Sequence, residues 1–128
     1  MTSYFHLNGR LWHICFVLPS DPMLLDRTNN QTLGTTDIRT NTVYLSSNLH
    51  GEELAKVLIH EMGHCALHSF GLIDEIHRVV YPEYWIEAEE WICNFIFDYG
   101  LSIFKSFYQV MGISALNYIP REIEKIVA

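Results

Sequence analysis

The spacing of apolar and polar positions along the chain changes several times, and each change marks an element. Tyr4-Phe5-His6-Leu7 and Leu11-Trp12-His13-Ile14-Cys15-Phe16-Val17-Leu18 are rich in aromatic and aliphatic residues and flank Asn8-Gly9. Asn-Gly readily supplies the two left-handed conformations of a tight hairpin turn, so residues 4–18 read as a β-hairpin. Pro19 to Asn30 is dense in Asp, Pro and Asn and reads as a loop. Residues 31–46 read as a second strand pair: Thr32-Leu33-Gly34-Thr35-Thr36, a polar turn near Arg39-Thr40-Asn41, then Thr42-Val43-Tyr44-Leu45-Ser46.

The period then becomes helical. Leu54, Val57, Leu58, Glu61, Met62, Cys65 and Leu67 carry a largely helical spacing through to Phe70. Asn48 to Gly51 offers capping residues, Glu52 and Glu53 stand where the helix dipole favours acids, and Gly71 suits the closing left-handed position. A loop with Asp74, Glu75 and Pro82 is expected next. A second helix is predicted from about Glu83 to Gly100, with a continuation to Val110 also allowed. Its apolar positions Trp85, Ile86, Trp91, Ile92, Phe95 and Ile96 cover a broad face, which predicts extensive burial, with Trp85 and Trp91 in the core. Pro120 can open a short terminal helix with Ile123 and Ile126 as its apolar side. The elements define an α+β chain, a small, mostly antiparallel sheet packed on helices, in one domain spanning 1–128.

Composition narrows the function classes. With 49% hydrophobic and 18% charged residues the chain has the balance of a soluble globular protein. A net charge of −7, with only 8 Lys and Arg, argues against nucleic acid as a partner, since phosphate binding draws on clustered cations. The early apolar stretch Leu11 to Leu18 is interrupted by His13 and followed by Pro19; it is too short for a membrane span and poorly flanked for a signal peptide. Three cysteines without paired spacing do not suggest a disulfide framework, and a reducing cytoplasm is the expected compartment.

The chemistry concentrates in His60-Glu61-Met62-Gly63-His64, an H-E-x-x-H pattern inside the first predicted helix. Residues four apart project from nearly one helix face, so two imidazoles can converge on a zinc ion while Glu61 reaches a water beside it and acts as general base. A catalytic zinc needs a third protein ligand and one open position. His68 lies about 12 Å along the helix from His60, too far to share one ion with both. Glu87, Glu89 and Glu90 on the second helix are better candidates, because a carboxylate on a buried helix needs a partner. Glu90 is the choice, with Glu87 on the same face as the alternative and Glu89 pointing elsewhere. Asn94, one turn beyond Glu90, is placed to hydrogen-bond a ligand imidazole.

His60-Glu61-Met62-Gly63-His64-Cys65-Ala66-Leu67-His68 resembles the H-E-x-G-H-x-x-x-H stretch of ImmA/IrrE-like zinc metallopeptidases, and more broadly small phage- and prophage-encoded zincins. Leu33-Gly34-Thr35-Thr36-Asp37 and Thr42-Val43-Tyr44-Leu45 match the strand pair that precedes the zinc helix in those proteins. Glu89-Glu90-Trp91-Ile92-Cys93-Asn94 and Tyr99-Gly100 match the helix that follows it. The resemblance spans roughly residues 10 to 100. It implies a zincin-like fold, zinc on His60, His64 and Glu90, Glu61 as general base, a peptide or protein substrate, and, for a phage protein, the host cytoplasm. The E-x-E-A-N-x-F-A helix of the larger members is missing and no sensor domain is seen, so repressor cleavage does not carry over.

Several further residues complete the expectations. Tyr81, Tyr84 and His77 are candidates to stabilise an oxyanion. The strand Thr42–Ser46 could offer an edge to an extended peptide. Cys65 and Cys93 read as buried thiols, and Gly63 as a site where a strand or loop approaches the helix. The competing hypothesis is a zinc-stabilised interaction module of phage origin with vestigial hydrolytic activity; a carboxylate at Glu61 favours the enzyme.

Overall fold

Two hairpins lie side by side to form the sheet. In the computed structural model, which describes residues 2–117, β1 (Tyr4–Leu7) and β2 (Arg10–Val17) pair antiparallel, as do β3 (Gly34–Asp37) and β4 (Thr42–Ser46). Asn8 and Gly9 have φ of 50° and 76°, the left-handed pair that the hairpin turn demands. The strand order is β1-β2-β4-β3. The second strands of the two hairpins are therefore neighbours, and they run parallel, from His13 opposite Thr42 to Val17 opposite Ser46. The sheet is mixed: the antiparallel pairs match the sequence pattern, and the parallel seam arises from how the hairpins are placed.

Alternation along the strands sends Trp12, Val43 and Leu45 to one face, where they meet Leu49 and Cys65 in a fully buried cluster. Cys65 belongs to α1 (Gly51–Ser69), which starts after His50 and ends at Phe70, with Gly71 left-handed at φ 70° as expected. Asn8 Nδ2 donates to the Ser69 carbonyl at 2.9 Å and Trp12 Nε1 to Ser69 Oγ at 2.8 Å, so the first hairpin clasps the far end of α1. Gly34 lets β3 lie close to the same helix: a Cβ there would stand 2.9 Å from Val57 Cγ1.

The expected loop after Gly71 is instead a helix, α2 (Leu72–Val79). Ile73, Ile76 and Val80 share its inner side and pack with Leu67 and Cys93, while Asp74 and Glu75 occupy the first turn, where acids suit the dipole. After a 3-10 turn at Pro82–Tyr84 comes α3 (Trp85–Phe95), shorter than predicted; a π-turn at Ile96–Gly100 and α4 (Leu101–Met111) are next in sequence. Gly63 accommodates α3, and not a strand or loop: a Cβ there would stand 3.1 Å from Cys93 Sγ.

The broad burial expected of this helix is not found. Trp91 is 68% exposed and stacks on Phe95, ring centroids 5.9 Å apart. Trp85 is half-buried, stacked on His77, and donates to the Val80 carbonyl. The chain separates into two compact units, 1–98 and 99–128, and the candidate site belongs to the first. The second holds α4 and a 3-10 turn at Gly112–Asn117. The terminal helix predicted around Pro120, with Ile123 and Ile126, lies outside the described residues. Among the described residues no helix is long and apolar enough to cross a membrane.

Candidate metal centre

The side of α1 that faces α3 carries the chemistry. His60 and His64 stand one turn apart with ring centroids separated by 5.1 Å. Glu90 reaches both: Oε2 lies 3.4 Å from His60 Nε2 and Oε1 lies 3.3 Å from His64 Nε2. One ligand atom from each of these three residues falls within 4.8 Å of the others, the only such three-residue group among the described residues. Glu87, the sequence alternative, is exposed and stays outside the group. His68 also stays outside it, with Nε2 at 4.0 Å from Glu89 Oε1.

Glu89 was expected to point away, and the structure corrects this. It is buried, and its Oε1 accepts a hydrogen bond from His64 Nδ1 at 2.8 Å. That contact leaves Nε2 as the ring nitrogen facing Glu90. Asn94, expected to orient the imidazole, is exposed and only lines the cavity. Helical phase explains the exchange. Adjacent residues 89 and 90 straddle the line toward α1, so one reaches the front of the His64 ring and the other its back, while position 94 has rotated past it.

Arg27, in the loop before β3, was not singled out by the sequence. Its Nη1 donates to Glu89 Oε2 and its Nη2 to Glu90 Oε1, each at 3.1 Å. The loop is fixed from within: Asp26 Oδ1 accepts from the Thr28 amide, the Thr28 hydroxyl and the Asn30 amide. Thr36 on β3 donates to Glu61 Oε1 at 2.8 Å, and Glu61 Oε2 lies 3.8 Å from His60 Nε2. Glu61 is 6% exposed.

These groups surround a cavity of about 470 Å³ lined by Arg27, Thr36, His60, Glu61, His64, Glu89 and Glu90, with Leu33, Ile38, Val57 and Phe97 as apolar walls. Tyr81, Tyr84 and His77 do not line it. Thr42–Ser46 is an inner strand with both edges paired, so it offers no free edge; β3 is the edge strand of this side. Ser46 donates its amide to the Leu33 carbonyl, which sets the ladder phase so that the backbone groups of Gly34 and Thr36 point outward.

Electrostatics follow from this crowding. Burial pushes the Glu61 carboxyl above its ordinary value, against the pull of His64 and His60. His60 and His64 hold Glu90 well below the usual carboxylate range. Burial opposes charging of His64, but Cys93, Glu89 and Glu90 around it prevail and raise it to about 12. Cys65 and Cys93 are fully buried, and burial pushes both thiols up, Cys65 to about 12. Neither belongs to the ligand group.

Two imidazole nitrogens and a carboxylate oxygen, with one imidazole held from behind by a second carboxylate, form a donor set that suits zinc. No protein-family model, curated protein or solved structure matches the chain.

Proposed function

We propose that the protein is a zinc-dependent metallopeptidase, with His60, His64 and Glu90 holding the ion. The observation that carries this reading is Glu61. It is buried at the cavity wall, hydrogen-bonded to Thr36 and directly beside His60, yet it is not one of the three converging ligands. A purely structural zinc site has no use for a further carboxylate at its open side.

Bound zinc would polarise a peptide carbonyl and acidify an adjacent water. Glu61 takes the proton of the attacking water on a carboxylate oxygen and later gives it to the nitrogen of the leaving amine. Thr36 keeps Glu61 aimed into the cavity. Glu89 orients His64 through Nδ1. The outward Gly34 amide and the outward backbone groups of Thr36 give an extended peptide a strand to pair with beside these side chains, while the Gly34 carbonyl already accepts from the Thr32 hydroxyl. Leu33, Ile38, Val57 and Phe97 would receive its apolar side chains.

Metal analysis and hydrolysis of a mixed peptide library test the reading. Wild type should carry one zinc per chain. Glu61→Gln should keep that zinc and lose roughly 10²- to 10⁴-fold in rate, the usual contribution of a positioned base. Wild type without stoichiometric zinc, or undiminished hydrolysis by Glu61→Gln, would overturn it.

A further inference from the structure

We infer that Arg27 is the positioning residue that assembles the metal site, a fork reaching in from a remote loop to fix two carboxylates at once. The inference rests on the metal-centre reading. Arg27 precedes Glu89 and Glu90 by 62 and 63 positions, yet each of its terminal nitrogens is committed to a different one of them. Each of those carboxylates turns an oxygen toward the imidazoles. Glu89 uses Oε2 for Arg27 and Oε1 for His64 Nδ1. Glu90 meets Arg27 and His64 through Oε1 and His60 through Oε2.

The planar guanidinium suits this task because its nitrogens are rigidly spaced; a lysine ammonium, a single point charge, cannot hold two separate carboxylates in register. Two short chains of contacts therefore run from one guanidinium to the metal-binding imidazoles. Charge points the same way. Asp26, Glu61, Glu89 and Glu90 all line the cavity, and the Arg27 guanidinium pairs with the two of them that touch the imidazoles, Glu89 and Glu90. Arg27 thus supplies the cation that lets Glu89 stand behind His64 while Glu90 faces it. The loop is built to deliver it. Asp26 folds the turn around Thr28 and Asn30, the Asp26 amide donates to the Asn30 carbonyl, and Leu25 bridges to Gln31 across the turn.

The test is zinc affinity by chelator competition on the full chain, together with the absorption spectrum of the cobalt-substituted protein, for wild type, Arg27→Gln and Arg27→Lys. Loss of a group that supports metal ligands lowers affinity by about 10- to 100-fold. Arg27→Gln should fall in that range and shift the cobalt bands; Arg27→Lys should fall between it and wild type. In a Glu89→Gln background, Arg27→Gln should keep the part of its effect that runs through Glu90, so the two losses together should fall short of their product, because coupled residues are not additive. A merely structural loop residue would lower the melting temperature of the metal-free protein and leave both metal readouts unchanged. Wild-type affinity in either Arg27 variant, or tighter binding, overturns the inference while leaving the metal centre in place. Wild type that binds no zinc ends the metal-centre reading and the inference together.

Discussion

The two sides of α1 are held by opposite means. Toward the sheet, Cys65 packs with Trp12, Val43, Leu45 and Leu49 in a cluster stabilised by removal of apolar surface from water. Toward α3, one to five residues earlier, His60, Glu61 and His64 meet Glu89, Glu90 and Arg27, and nearly every polar atom is answered by an opposite charge or a hydrogen bond. The first side tolerates no loss of volume. The second depends on its partners most where the groups are buried, at Glu61, His64 and Glu89, because a buried charge left alone is destabilising. One helix can carry both because its apolar and ligand-bearing stripes lie at different angles around the axis.

The largest expected effect lies on the dry side. Trp12→Ala removes a side chain that is 0% exposed and should lower unfolding free energy by about 3–5 kcal/mol in urea titration. Stability close to wild type would erase the distinction between the two sides. Gly34→Ala probes where the sides meet, since its Cβ would stand 2.9 Å from Val57 Cγ1 and 3.2 Å from Glu61 Cγ. Overpacking of that kind costs about 1–3 kcal/mol, and here it should also slow hydrolysis, because Glu61 is displaced with Val57. An equally stable variant would mean that β3 moves off the helix freely.

The last effect is electrostatic, belongs to the polar side and is read in protons rather than in stability. His64 is raised from 6.5 to about 12 in the metal-free protein. Its contribution to stability is complete below the free imidazole value and is lost as pH rises toward the folded value. A zinc ion held by His64 would have to displace the same proton, so on the proposed reading zinc affinity should rise with pH through the neutral range and uptake should release about one proton. Calorimetry in two buffers of different ionisation enthalpy measures this release. Heats that do not depend on the buffer would show that His64 is already neutral.

Much of this arrangement was legible from local pattern. Asn8-Gly9 announced the first hairpin, the helical period and Gly71 bounded α1, and H-E-x-x-H with an acid-bearing second helix pointed to His60, His64 and Glu90, which the fold brings together. What escaped reading is non-local or depends on phase. Arg27 lies in a polar loop, and nothing within its neighbourhood of sequence indicates a carboxylate 62 positions away. Glu89 and Asn94 exchanged roles because a helix of uncertain rotation does not tell which neighbour of a ligand faces the ring. The parallel seam between β2 and β4 depends on how two separate hairpins dock. α2 was hidden by its own charges: Asp74, Glu75, His77 and Arg78 resemble a loop unless the spacing of Ile73, Ile76 and Val80 is weighed more heavily. Trp91 shows the converse, an aromatic residue whose apolarity was read as burial and which faces outward.

The clasp on Ser69 bears on which fragments could work alone. Its two donors come from positions 61 and 57 residues earlier, so this end of α1 is secured only after a long loop has closed. Contacts of such sequence separation form slowly, so the docking of this helix end is expected to follow closure of that loop. A segment from residue 48 to 98 would retain His60, His64 and Glu90, yet it would lose that anchor, the strands beneath the helix and Arg27. The smallest fragment that keeps the His60, His64 and Glu90 cluster anchored as described includes the hairpin of β1 and β2, far in sequence from those residues.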